Sequence, residues 1–326
     1  MNTVVVIGAG VAGMAAAREL AGEAVKVVLV EKEARPGGWA GSYACKAAGG
    51  CQKCGACLAG QLAAELAGLP GLELLLGWQA VAIRELVPVG YAVAVQGGGG
   101  QREIEAAAVV VASGFRPFDA ARWGEYGYHR YPGVVTSLDL DRAWREDGAL
   151  GARYPGLERV AFIQCVGSRT TRPGGNPLCS RVCCRNTLRL VNRLLWELPA
   201  VRADVFHQDL QSEQSLIQTA AGNPRVQLLR TIPARVYQLP GRRLTVNWED
   251  PATGREASGE YDLVVLAVGM NRRPAPETDG AEGKPLPGVI WAGAAAGPMD
   301  IRESIRRGRQ AGRQVKRLLA ENGTNR

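Results

Sequence analysis

Eight cysteines fall into two tight groups, Cys45, Cys51, Cys54 and Cys57, then Cys165, Cys179, Cys183 and Cys184. Clusters of this kind point to metal or redox work rather than to structural disulfides. In the second group 13 residues separate Cys165 from Cys179, three more precede Cys183, and Cys184 follows directly. An iron–sulfur cluster needs four thiolates within reach of one loop that can wrap it. Pro173-Gly174-Gly175-Asn176-Pro177 supplies such a loop. Zinc also accepts four cysteines, but the vicinal pair Cys183-Cys184 suits paired CxxC knuckles poorly. A catalytic dithiol, or inert buried cysteine, completes the alternatives. The first group carries a ferredoxin-type CxxCxxC run over Cys51, Cys54 and Cys57, with Cys45 upstream as the fourth candidate. A second cluster is the expectation there, with zinc or a redox dithiol as its rivals.

A different chemistry is written at the N-terminus. Gly8-Ala9-Gly10-Val11-Ala12-Gly13 follows an apolar run, opens a helical stretch and precedes a second apolar run ending in Glu31-Lys32. This is the dinucleotide fingerprint in its β-α-β context. Gly8 permits the tight turn, Gly10 lets the backbone approach a pyrophosphate, and Gly13 lets helix and strand pack closely. The helix N-terminus offers free N–H groups to the phosphates, and Glu31 is placed to accept from a ribose. Gly37-Gly38-Trp39 lies just beyond, where flavoproteins with two dinucleotide folds carry a Gly-Gly turn. That favours FAD over NAD.

The elements that must hold these groups follow from hydrophobic runs. Ala108-Val109-Val110-Val111-Ala112-Ser113-Gly114 is an apolar strand ending in glycine, and Asp262 to Gly269 repeats the pattern. Gly288 to Gly293 is a third strand. It leads through Ala294 and Pro298 to a helix beginning near Asp300, which can cap it, and Ile301; the N-terminus of that helix would reach the flavin. The expected fold is therefore α/β, a thioredoxin-reductase-like flavoprotein with two dinucleotide-binding domains. Residues 1–116 and 262–326 would form the FAD domain, with the Cys45–Cys57 loop in its first part, and 117–261 an inserted domain. That inserted domain opens with the strand Arg159 to Ile163, yet Gln164-Cys165-Val166-Gly167-Ser168-Arg169 follows, one glycine where a second fingerprint has three. Binding of NAD(P)H is doubtful there, and a cysteine stands where that loop would begin. Gly97 to Gly100 reads as a hairpin turn.

Composition excludes other classes. The net charge of +8 rests almost wholly on arginine, and the final helix alone carries Arg302, Arg306, Arg307, Arg309, Arg313, Lys316 and Arg317. No basic stripe is interleaved with aromatics, so nucleic acid is a poor partner. A solvated face, or a surface that steers an acidic electron carrier, fits better. No run reaches the roughly 18 apolar residues of a membrane span, and Met1-Asn2-Thr3 enters a strand with no signal-peptide pattern. A cytoplasmic location is the expectation. His129 and His207 show no ligand or base spacing and read as structural or surface residues.

The stretch from Phe162 through Cys165 to Arg169, taken with Cys179-Ser180-Arg181-Val182-Cys183-Cys184, resembles the signature of the heterodisulfide reductase A-subunit family. The corresponding flavoprotein of the quinone-interacting membrane-bound oxidoreductase is a relative of that family. Ala292 to Ile301, Val135 to Leu140 and Val205 to Leu210 resemble further family stretches. The resemblance implies an FAD-containing electron-transfer protein with a 4Fe–4S cluster on Cys165, Cys179, Cys183 and Cys184. It implies partner subunits of a heterodisulfide reductase-like complex and iron–sulfur electron carriers, with a homodimer as one assembly. The chain lacks the extra ferredoxin-like domains of archaeal members, and the segment after Asp209 is abbreviated, so bifurcation is not carried over. Two rivals stand beside this reading: a self-sufficient NAD(P)H-dependent disulfide oxidoreductase, and a non-catalytic scaffold with zinc knuckles.

Overall fold

A run such as Val4-Val5-Val6-Ile7 can bury both faces only between two packed layers. In the computed structural model, which describes residues 2–324 except 23, 88, 240, 242, 275 and 279–285, it does so. Val4 and Val6 pack with the helices of one core, whereas Val5 and Ile7 join a second core on the opposite face of the sheet. The strand Asn2–Ile7 is the centre of a parallel sheet. Val25–Glu31 and then Leu72–Leu76 lie on one side, and Ala108–Val111 and then Val289–Trp291 on the other. An antiparallel sheet that includes the hairpin Tyr91–Gly97 and Gly100–Ala106 covers the Val5 face.

The helices are α1 (Val11–Leu20), α2 (Gly38–Gly41), α3 (Cys57–Leu66), α4 (Ser137–Asp147), α5 (Cys183–Glu197), α6 (Gln214–Ala221) and α7 (Ile301–Thr324). A second parallel sheet repeats the logic of the first. Its central strand is Arg159–Val166, flanked by Arg202–Phe206 and Val226–Leu229 on one side and by Leu263–Val268 and Val134–Thr136 on the other. Val160 and Phe162 face the core under α4 and α5, while Ala161, Ile163 and Val166 face an aromatic core with Phe118, Tyr126 and Tyr261.

The chain forms two compact units, one of residues 1–42, 55–116 and 272–326, the other of 43–54 and 117–271. Two segments therefore lie elsewhere than expected. The strand Leu263–Val268, expected in the first unit, instead pairs in parallel with Arg159–Val166, Val160 opposite Leu263 and Ile163 opposite Leu266. Its apolar run cannot distinguish the two sheets, because both want a strand buried on both faces. Residues 43–54 also leave the first unit, for reasons of charge taken up below.

Helix α7 is more than an arginine ladder. Asp300 caps it, its carboxylate accepting from the Glu303 N–H at 2.8 Å, as the sequence indicates. Every basic residue named above is exposed, and the opposite face presents Ile305, Ala311, Val315 and Leu319 to the core. Gly308 and Gly312 lie on that buried side. A Cβ on Gly308 would overlap the carbonyl oxygen of Ala12, and one on Gly312 would come within 2.8 Å of the Glu19 Cβ. The pair of small residues, four apart, is what lets α7 lie close against α1. Gly308→Val should thus cost about 3 kcal/mol or more through overpacking. Arg309→Ala, on the exposed face, should stay within about 0.5 kcal/mol of the parent in urea denaturation.

Candidate functional site

Both sheets reverse strand order at one point, and the crevice beyond the strand ends at that point is where such folds bind ligands. In the first unit the reversal lies between Asn2–Ile7 and Ala108–Val111, so Gly8 meets Ala112 and Ser113. A Cβ on Gly8, whose φ is +100°, would lie 2.5 Å from the Ala112 carbonyl oxygen; one on Gly13 would overlap the carbonyl of Gly8. Gly10 is different, because a Cβ there would meet nothing within 4 Å. Two glycines serve packing and the third leaves a free face at the start of α1.

The surroundings complete a cradle. Gly37 donates to the Ala9 carbonyl at 2.8 Å, and Gly38 comes so near Gly10 that its own Cβ would lie 3.2 Å from the Gly10 Cα. Glu31 is buried, accepting from the N–H of Ala9 at 2.7 Å and of Glu33 at 2.9 Å. Trp39 donates to the Phe115 carbonyl at 3.2 Å. The Ser113 hydroxyl oxygen is buried with no hydrogen-bond partner among the described residues. Ala12 is taken up by packing against Gly293 and Gly308, and Val11 is buried in the core. Lys32 instead pairs with Glu33 at 3.1 Å in solvent. Ala294, Pro298 and Ile301 are partly buried between the last strand and α7.

In the second unit the reversal lies between Arg159–Val166 and Leu263–Val268, and there the cysteines stand. The pairing register slips between Ile163 and Val166, a bulge that re-aims Gln164 and Cys165. Cys165, Arg169 and Arg181 adopt φ values of 61°, 58° and 62°, uncommon for residues with a side chain. Ser180 accepts from the Met270 N–H at 2.8 Å and so closes the loop onto the neighbouring strand end. Cys183 and Cys184 begin α5, their thiols directed to the carbonyls of Val268 at 3.5 Å and Asp209 at 3.8 Å. The Arg181 N–H points at the Cys179 sulfur at 3.3 Å.

All four thiols lie in one electrostatic field. Burial, then the presence of Cys184, Cys165 and Cys179, pushes the Cys183 thiol up to about 12. Burial and Cys184 push Cys165 up to about 11, with Arg169 opposing. Thiols held this far up are poor nucleophiles at neutral pH. Among the described residues no three His, Cys, Asp or Glu side chains converge closely enough to hold a metal ion as they stand. The donor chemistry nonetheless suits a soft metal centre: four cysteine sulfurs, one buried and three half-buried, that would repel one another once ionised.

The first cysteine group is divided. Cys45, Cys51 and Cys54 travel with the second unit, whereas Cys57 opens α3 in the first, which corrects the expectation that all four accompany the FAD domain. The cause is a set of polar contacts no spacing rule reveals. Lys46 and Asp141 of α4 form an ion pair at 2.8 Å with side chains only 2% and 1% exposed. The Ala44 N–H also donates to Asp141, at 3.2 Å. The Gln52 side chain donates to the carbonyls of Lys46 and Arg189, its own backbone carbonyl accepts from Arg189 at 3.0 Å, and its amide oxygen accepts from Asn192 at 3.1 Å. Arg193 donates to the Cys45 carbonyl. Between this segment and α4 and α5 lies an open cavity of about 730 Å³, lined by Cys45, Cys51, Trp144, Arg193 and Trp196 among others. Arg189 and Arg193, four apart on α5, are the one hint of this that the sequence offers.

Known proteins fit this geometry. Residues 2–151 match the family model described as pyridine nucleotide-disulphide oxidoreductase. The A subunit of the ferredoxin:CoB-CoM heterodisulfide reductase of Methanosarcina mazei is 33% identical over 247 residues, 67% of this chain and 31% of that protein. The second iron-sulfur A subunit of the CoB–CoM heterodisulfide reductase of Methanopyrus kandleri is 30% identical over 250 residues, 67% of this chain and 38% of that protein. The chain is a homologue of the heterodisulfide reductase A subunits. It spans about a third of the length of these relatives. Its fold is that of thioredoxin reductase: the Lactococcus lactis enzyme superposes with a TM-score of 0.66 at 18% identity, covering 98% of this chain and 100% of that one. The T. acidophilum enzyme gives 0.64 at 17%, covering 97% and 98%. No helix among the described residues is long and apolar enough to cross a membrane.

Burial raises the pKa of Asp141 even with Lys46 beside it, so the pair specifies position more than it adds net stability. Lys46→Met should therefore cost about 3–5 kcal/mol by stranding a buried carboxylate, and the double variant Lys46→Met/Asp141→Leu should recover most of that loss. Chemical denaturation of the two variants checks it.

Proposed function

We propose that this chain is an FAD- and iron–sulfur-bearing electron-transfer oxidoreductase that works with partner subunits, as the names of its heterodisulfide reductase relatives suggest for them. One observation carries the reading. Two nucleotide-type sheets present equivalent crevices; the first keeps a glycine cradle with a free face at Gly10, and the second fills that place with four cysteines.

In the first crevice the cradle fits FAD. Gly10 and the N-terminus of α1 would take the pyrophosphate, Glu31 a ribose, and the unpartnered Ser113 hydroxyl a polar edge of the bound cofactor. The Asp300-capped N-terminus of α7 would favour negative charge on the reduced ring. In the second crevice Cys165, Cys179, Cys183 and Cys184 would hold a 4Fe–4S cluster, and Cys45, Cys51 and Cys54 remain candidates for a second, with Cys57 as the expected fourth. FAD supplies two-electron chemistry and the clusters one-electron steps. The protein's own work is to exclude water, hold the thiolates and fix the cofactors. A stand-alone NAD(P)H-driven dithiol mechanism is less well supported, because the second crevice has one glycine in its loop and burial pushes the Cys165 and Cys183 thiols up.

Anaerobic purification followed by flavin, iron and sulfide analysis tests this directly. One FAD with about four or about eight irons per chain supports it, the larger number meaning two cubanes. Zinc without flavin or acid-labile sulfide sinks it. Gly10→Val and Gly13→Val should separate the roles of the glycines. The first should fold with near-parental stability yet lose flavin, since a side chain there fills only the free face. The second should fail to fold stably. Comparing flavin absorbance with melting temperature distinguishes them.

A further inference from the structure

Two buried side chains beside the second cysteine group have no hydrogen-bond partner among the described residues. Gln164 is 1% exposed, and neither its amide nitrogen nor its amide oxygen makes a hydrogen bond. Thr187 is wholly buried, and its hydroxyl is likewise unsatisfied. A buried polar group without a partner forfeits its hydration and regains nothing, so both are unexpected in a well-packed core.

Their positions coincide with the cysteines. Gln164 immediately precedes Cys165 in the bulge, and Thr187 lies three residues after Cys184 and four after Cys183, on the same face of α5. Val160 and Phe162, alternate residues of the central strand, meet Leu190, Val191 and Leu194 of α5. The helix runs back along the strand, and Gln164 lies where the register slips, at the strand end nearest the helix N-terminus that carries Thr187, Cys184 and Cys183.

From this we infer that Gln164 and Thr187 are donors reserved for the sulfurs of the bound cluster. The Gln164 amide N–H and the Thr187 O–H would hydrogen-bond to thiolate or bridging sulfide, making reduction of the cluster easier, as hydrogen bonds to cluster sulfur do. They would be positioning residues, not ligands. The inference rests on the reading that Cys165, Cys179, Cys183 and Cys184 hold iron–sulfur.

The signature is an inversion between the metal-free and loaded states. Gln164→Met and Thr187→Val keep volume while removing the donors. In protein stripped of metal, each variant should melt at or above the parental temperature, because it removes an unsatisfied group. In the loaded chain, each should shift the cluster's midpoint potential negative in an EPR-monitored redox titration and release iron faster to a chelator, and Thr187→Ser should restore the parental values. Loss of stability in the metal-free variants with an unmoved midpoint would overturn the inference, since the two groups would then be holding a buried water or the core. A parental chain that contains no iron or sulfide would overturn both the inference and the cluster assignment. A loaded parent whose variants leave the midpoint unmoved would overturn the inference alone.

Discussion

Helix α5 holds the second unit to its task. Its first residues are Cys183 and Cys184, its middle packs Leu190, Val191 and Leu194 under the central strand, and its outer face grips the segment from Tyr43 to Cys54 through Arg189, Asn192 and Arg193. At about 1.5 Å of rise per residue, Cys184 and Asn192 are roughly 12 Å apart along the axis. One rigid element thereby fixes two cysteine-bearing segments at a separation that thermal motion of loops cannot easily change. The Tyr43 phenol, held above its usual pKa by burial, then Asp141 and Cys183, marks how close the segment comes to the helix N-terminus.

The two sheets show how one topology supports unlike chemistry. In each, the central strand ends at the point where strand order reverses, and a helix N-terminus faces the resulting crevice. In the first unit the loop is built from glycines because backbone must pack on backbone, Gly13 on Gly8 and Gly38 on Gly10. In the second, a bulge and several left-handed residues accept conformational strain in order to present side chains instead. Cys165 shows this most plainly, since its backbone sits where a glycine would be at ease.

Much of this was legible in the residues. The cysteine spacing did not foresee the division of the first group between the two units, whereas the Gly8–Gly13 turn is encoded locally, and local constraints survive translation into three dimensions. The hairpin at Gly97–Gly100 and the Asp300 cap did so for the same reason. What was hidden depended on long-range pairing. Nothing around Lys46 signals a carboxylate 95 residues away, and the run Leu263–Val268 suits either sheet. The Gly308 and Gly312 contact was masked by seven basic residues on the same helix, which draw the eye to the wrong face. Gln164 and Thr187 are ordinary in sequence, and only their lack of partners makes them informative.

The division of residues 43–54 from their sequence neighbours has a consequence for how the chain can be cut. Because the chain passes between units after residues 42, 54, 116 and 271, the second unit is not a simple insertion. Excising 117–271 as an autonomous fragment would leave Lys46 behind and enclose Asp141 without its counter-charge. It would also bare the α5 surface that Gln52 covers. The short stretch acts as a clasp threaded in from elsewhere in the chain. Any continuous piece that keeps it must begin before Tyr43 and carry residues 55–116 of the other unit along with it.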